Sequence, residues 1–484
     1  MKSDLPQPPS HQPARVSSSR PASRRFKTYL ILGLFCFSVV VLAAFLPWTK
    51  SGQQIIRDSL ERSLNSIRAA GDPLTVEEMA ERFPDPPADR DANLLLKAAF
   101  SLVSAPDEAT NIPFFGESKI SGALPLDRSI MEVSRELLDR NESAFDAVPW
   151  ETIRGSWFGC SFARGLTNLS LPSKMPMLKL VKLLCLKAVL DAEARKPDQS
   201  IQSLQRALLL GSTLKDDVPI HLFFRAACEQ HVCEAVERVL NQTTVADEAL
   251  AQLGESLTLT KAGSVTRKTV VFDRLDGLLM ADTLKSQSVE LTKGAVSPLS
   301  RLVRTFQAHT LYRDRDLLDL LQYDERFLAA LELPMGRAIP EILAMEKHNH
   351  ETLQHRPVSF LNSWRRERSS FVTLMGTNPS LTLLAELPIV AKIRETLIAI
   401  AIQRWRHLHD GQAPSSLTEL APALTPNVLE DPFTGQPMAY KRFHDGYYLE
   451  CVWPDENTRR LLPSHYVDRH YDVTFRLGSV EPDH

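Results

Sequence analysis

Twenty consecutive residues, Tyr29 to Trp48 (YLILGLFCFSVVVLAAFLPW), carry no charge. An apolar run of about 20 residues is long enough to cross a bilayer as a helix. Arg20, Arg24, Arg25 and Lys27 precede it, and no comparable cluster follows closely. The positive-inside rule then keeps the N-terminus in the cytoplasm and sends Lys50 to His484 outside. The expectation is a single-pass inner-membrane protein held by residues 29–48, with its bulk in the periplasm. Ala43 and Ala44 leave cleavage after Val41-Leu42-Ala43 open as the alternative. A lipoprotein site at Cys36 would want a small residue where Phe35 stands.

The charge is split along the chain. Residues 1–27 hold six basic and one acidic residue, a charge of +5, so the remainder carries −8 against −3 for the whole. A mildly acidic bulk is a poor nucleic-acid binder, and no nucleic-acid partner is expected. The Pro/Ser-rich leader reads as disordered. Five cysteines, Cys160, Cys185, Cys228, Cys233 and Cys451, lie beyond the apolar run. An odd number cannot pair completely within one chain, and the density is too low for a disulfide framework. Glycine is scarce, 19 against 32 prolines. That disfavours a glycine-dependent nucleotide-binding sheet and favours helices separated by proline-marked loops.

Ile56, Leu60, Leu64 and Ile67 at helical spacing predict a helical stalk over 49–70. Asp91 is placed to cap a helix carrying Leu94, Leu95, Ala98 and Leu102, and residues 105–126 read as irregular. The clearest helical signal is 173–255. Leu178, Val181, Cys185, Ala188 and Ala192 mark one apolar face, and Lys196-Pro197-Asp198 breaks it. Ile201, Leu204, Ala207 and Leu208 start a second helix, closed by Gly211, and Leu222–Leu240 forms a third. This is a helical-hairpin, α-solenoid-like pattern without a strict repeat. Residues 268–355 predict at least two more helices. The run 369–391 holds one charge, Glu386, but Asn378-Pro379 within it argues against a second membrane span. A helix then reaches His409 and ends at Asp410-Gly411. Asp431–Pro437 is turn chemistry, Asp445-Gly446 suits a hairpin between short strands, and the alternation over Val467–Leu477 predicts a half-buried strand. The fold class is therefore mainly α, with an N-terminal transmembrane helix, a hairpin ectodomain and a small C-terminal α+β unit. The divisions fall at 1–27 (leader), 28–48 (span), 49–355 (helical ectodomain), 356–391 (linker and irregular segment) and 392–484 (helix plus small β unit).

Residues 397–457, with RHLHDGQAPSSLTELAP, DPFTGQPMAYKR and DGYYLECVWPDEN, resemble a unit at the ends of uncharacterised membrane-anchored proteins of planctomycete-type bacteria. The helical middle, especially 160–240, resembles the same proteins. More loosely, the C-terminal unit is similar to the C-terminal part of type II secretion pseudopilins. That resemblance implies a fold for the tail. The chain lacks a Gly-Phe-x-x-x-Glu processing site before Tyr29, and its apolar run lies far from this unit.

Several residue groups have the types that carry chemistry. Glu346, His348, His350, Glu351 and His355 approach a zinc-hydrolase pattern. A His-Glu-x-x-His site needs the second histidine four residues on, where Gln354 stands. One further residue rotates His355 by about 100°, so Glu346/His350 and Glu351/His355 read as surface pairs. Cys228 and His231 share a helix face, but Cys233 lies about 140° away. Ser212 and Lys215 have serine–lysine spacing without the partner motifs of an acyl-transfer site. Asp445, Asp455, Glu456 and Asn457 offer oxygens for Ca²⁺ at a spacing that matches no known loop. Trp364–Arg368 reads as a solvated basic helix face. No catalytic, cofactor or metal residue is assigned. The functional expectation is a non-catalytic interaction or scaffold protein of the cell envelope, with a protein partner on the hairpins 173–255. The alternatives are an envelope hydrolase with a site assembled from distant residues, and a secretion-system accessory using the pseudopilin-like tail.

Overall fold

The computed structural model describes residues 50–104, 106, 112–116, 125–159, 174–215, 219–258, 261–291, 311–354, 379–421, 423–443, 446–451 and 473–478. The chain divides into two units, Met1–Ser59 and Leu60–His484. Among the described residues the helices, in order, are α1 (Lys50–Ala69), α2 (Val76–Arg82), α3 (Ala92–Leu95), α4 (Lys97–Leu102), α5 (Arg128–Arg140), α6 (Glu142–Asp146), α7 (Trp150–Ile153), α8 (Lys174–Glu193), α9 (Pro197–Ser212), α10 (Pro219–Gln242), α11 (Asp247–Ser256), α12 (Ser264–Leu291), α13 (Leu311–Leu331), α14 (Met335–Gln354) and α15 (Pro379–Leu408). The strands are β1 (Ala439–Arg442), β2 (Tyr447–Cys451) and β3 (Val473–Leu477), antiparallel in that order.

No helix among the described residues is long and apolar enough to cross a membrane. The expected transmembrane helix, and the single-pass, signal-anchored architecture built on it, are therefore corrected to a mainly helical fold with a small three-stranded sheet. Tyr29–Trp48 itself lies outside the described residues. The longest described helix, α15, is apolar in long stretches but carries Glu386, Lys392, Arg394 and Glu395 in its interior, charges that lipid would not tolerate unpaired. The predicted stalk is corrected too: Leu60, Leu64 and Ile67 of α1 pack against Leu317, Leu320 and Leu321 of α13.

The α8–α10 hairpin unit forms as its periodicity predicts, but α8 is more buried than one apolar face implies. Leu180, Leu183, Leu184, Leu186 and Val189 are as buried as Val181, Cys185 and Ala188. A helix apolar on all sides belongs in a core, and α9 and α10 pack against it. Arg195 ends α8 in the left-handed region, at φ 58°, and Pro197 starts α9 at a position where its missing N–H costs nothing. Gly211 does not close α9, which continues through Ser212. A Cβ at Gly211 would lie 3.3 Å from Cys228 Cβ, so glycine there permits close approach of α10.

The segment 356–391, expected to be irregular, is helical from Pro379 onward. Proline fits the first turn of a helix, so Pro379 begins α15 rather than breaking a span. The chain leaves α15 through Asp410 (φ 51°) and Gly411 (φ 80°), with the Gly411 amide donating to the Arg406 carbonyl at 2.8 Å. The Asp431–Pro437 turn forms as its composition predicts, with Asp431 Oδ1 accepting from the Phe433 amide at 2.8 Å. Asp91 caps α3, accepting from the Asn93 amide at 2.8 Å. Of the predicted strand Val467–Leu477, only Val473–Leu477 lies within the described residues.

Candidate functional site

Of the residue groups singled out in the sequence, Glu346, Cys228, Cys233, His231, Ser212 and Lys215 are engaged in packing or local contacts. Glu346 accepts from the Ser380 amide at 3.2 Å and from its hydroxyl, so it serves the first turn of α15. There a negative side chain is favoured by the helix dipole. His348 is exposed, whereas the side chains of His350, Glu351 and His355 lie outside the described residues. Cys228 and Cys233 are fully buried, and burial pushes both thiols up to about 12. His231 turns to Glu234, 3.3 Å away. Ser212 donates to the Leu209 carbonyl at 2.7 Å, and the Lys215 ammonium lies 3.5 Å from the centre of the Trp157 ring. Asp445, Asp455, Glu456, Asn457 and Trp364–Arg368 lie outside the described residues. Among the described residues, no group of three or more His, Cys, Asp or Glu is placed to hold a metal.

The structure instead gathers charge where the sheet meets α10 and α15. The Lys392 ammonium donates to Glu237 Oε2 and, at 2.7 Å, to the Thr474 carbonyl, with Glu395 Oε2 3.8 Å away. Burial alone would pull Lys392 down, but Glu237 and Glu395 outweigh it and hold its pKa above the ordinary value. Burial raises Glu395 to about 8 against the opposing pull of Lys392. At neutral pH the cluster is therefore one ion pair beside a mostly protonated carboxyl. These charges in an apolar helical run were visible in the sequence, and a charge in such a run signals a buried partner.

The same helices close the outer edge of β3. The Arg476 amide donates to Glu237 Oε1 at 3.1 Å, the Arg476 carbonyl accepts from Asn241 Nδ2 at 2.8 Å, and the Gly478 amide donates to Asn241 Oδ1 at 3.0 Å. With Lys392 on the Thr474 carbonyl, four outward backbone groups of this edge are met by helix side chains, which opposes strand addition.

Beside this edge lies an open groove of about 390 Å³. Its walls come from the end of α8 (Arg195), the end of α10 and the loop beyond it (Leu240–Val245), the last turns of α15 (Gln403, Arg406, His407) and the end of β3 (Leu477, Gly478). Among the described residues, no carboxylate lines it. Arg195 donates one terminal nitrogen to the Gln242 carbonyl, and Arg406 Nε donates to the Gly411 carbonyl at 2.8 Å. Each guanidinium is thus anchored at a helix end, where cations are favoured, and retains further N–H donors. Leu240, Val245, Leu250 and Leu477 lie behind this mostly polar lining and are almost fully buried. Sequence reading missed this site because its residues come from four separate segments with no local spacing in common.

No family model, no curated protein and no solved structure matches this chain.

Proposed function

We propose that this protein is a non-catalytic interaction protein whose partner is received in the groove between the helix ends and β3. The observation that carries this reading is the contrast between two sets of side chains. The thiols and the buried Lys392–Glu395 cluster are committed to packing, whereas Arg195, Gln403, Arg406 and His407 line an open concavity. A concavity into which several polar groups converge is a common form of binding site. The groove also lies at the loop ends of the hairpins 173–255, where concave helical surfaces commonly receive partners.

The test is crosslinking and capture of the tagged full chain from its native cells, followed by mass spectrometry. The expected result is a stoichiometric partner that the wild type retains and that is lost on the pair Arg195→Ser and Arg406→Ser. Capture of no partner, or retention of the partner by that variant, would overturn the proposal. Loss of a turnover activity in the same variant would favour a hydrolase instead.

A further inference from the structure

We infer that the groove selects an acidic peptide segment, with Arg195 and Arg406 receiving its carboxylates. This deepens the preceding proposal and rests on it for the groove's role as a partner site. The first argument is charge complementarity. Two guanidinium groups and one imidazole line the groove, and no Asp or Glu is among its described lining residues. Asp247 of α11 pairs chiefly with Arg404 outside the lining, at 2.9 Å, and acts electrostatically on His407, which leaves Arg195 and Arg406 as the groups that receive the ligand's charge. A planar guanidinium matches a carboxylate in a way an ammonium does not.

The second argument is the backbone of Arg195. Its φ of 58° lies in the left-handed region that helix ends normally assign to glycine. A side chain is held there against a local steric cost, and its guanidinium is steadied by the Gln242 carbonyl at the groove wall. Strain of this kind in a non-glycine residue points to a role for the side chain it carries.

The third argument concerns the shape of the ligand. The lining is mostly polar, and the hydroxyls of Thr243 and Thr244 and the amide of Gln403 suit the backbone groups of a peptide, which a free inorganic anion lacks. The volume, about 390 Å³, fits a short stretch of chain rather than the face of a folded domain.

The test is isothermal titration of the full chain with N-acetyl-tetraglutamate amide, N-acetyl-tetraglutamine amide and inorganic phosphate, at low and high salt. The expected result is that the glutamate peptide binds, that binding weakens with salt, and that the glutamine peptide binds at least about tenfold more weakly. Arg195→Gly is the decisive variant. Glycine suits the backbone there, so the urea midpoint should stay near wild type, while affinity for the glutamate peptide falls by about tenfold to a hundredfold. Arg406→Ser should weaken binding to a similar extent. The inference is overturned if the glutamate peptide does not bind, if neither substitution weakens it, or if phosphate binds as tightly. If the glutamate peptide fails while a captured partner still depends on the groove, only the acidic specificity falls. If the peptide binds but no partner depends on the groove, the interaction-protein reading falls and the acidic specificity stands.

Discussion

Asn241 is the residue on which the closed edge of β3 can be tested most directly. Its amide accepts from the Gly478 amide, donates to the Arg476 carbonyl and also donates to the Glu237 carbonyl one turn back. Asn241→Leu keeps similar bulk and removes all three bonds. The Arg476 and Gly478 groups border an open groove, so water can reach them, and the appropriate scale is the net value of about 0.5–1.5 kcal/mol per bond. Two bonds lost from the strand edge then cost about 1–3 kcal/mol of local stability. Since about 1.4 kcal/mol is a factor of ten, hydrogen-exchange protection of the Gly478 amide should fall about 5- to 150-fold, whereas the Arg476 amide keeps its bond to Glu237 and should lose less. The β2 amides paired with β3 should lose less, and the buried turns of α8 should not change. The assay is hydrogen exchange followed by mass spectrometry or NMR under native conditions. Unchanged protection at Gly478, or an equal loss throughout the helices, would refute the idea that helix side chains close this edge.

Further consequences follow from the same packing. Gly446→Ala should disrupt the β2–β3 pairing by about 3 kcal/mol, because a Cβ there would lie 1.7 Å from the Leu477 carbonyl oxygen; urea denaturation followed by tyrosine and tryptophan fluorescence would show it. Lys392→Met should cost about 3–5 kcal/mol by leaving Glu237 without its buried counter-ion, and adding Glu237→Gln should recover part of that loss in a double-mutant cycle. Burial raises the folded pKa of Asp273 to about 8, of Asp324 to about 7 and of Glu395 to about 8, from ordinary values of 3.8, 3.8 and 4.5. The folded state therefore binds more protons than the unfolded state between those limits, and the stability they contribute is lost as pH rises from about 4 to about 8. A urea midpoint higher at about pH 5.5 than at about pH 8.5 is expected, and Asp273→Asn should flatten that slope.

Much of the helical architecture was legible in the sequence, because α9 and α13 carry a 3.6-residue apolar period and α8, α10 and α15 are long apolar runs, features that need no tertiary information. Other features depend on neighbours that periodicity cannot show. Gly211 looked like a helix terminator because glycine often is one, but Cys228 of α10 explains it by proximity. Asn378-Pro379 looked like a break, yet proline is equally a first-turn residue, and only the direction of the chain after it separates the two. Gly446 was expected for a turn's backbone freedom, whereas its contact with Leu477 makes it necessary for close approach. The groove left no local trace at all. Arg195, Asn241, Arg406 and Gly478 become neighbours only through the folded hairpins and sheet.

The closed edge of β3 also sets an order of events during synthesis. Asn241 and Gly478 are separated by 237 positions, and Glu237 and Arg476 by 239. The helix side chains that close the strand therefore emerge from the ribosome long before the strand they hold. Through that interval β1 and β2 form at most a two-stranded hairpin, which is marginal alone in water. The Lys392–Glu237 pair meanwhile lacks the Thr474 carbonyl that completes it. Closing so long a loop comes late in folding, so the docking of β3 is the step that turns a preassembled helical body into the finished molecule. A nascent chain halted before residue 473 should keep its helices and expose the β2 edge to other chains.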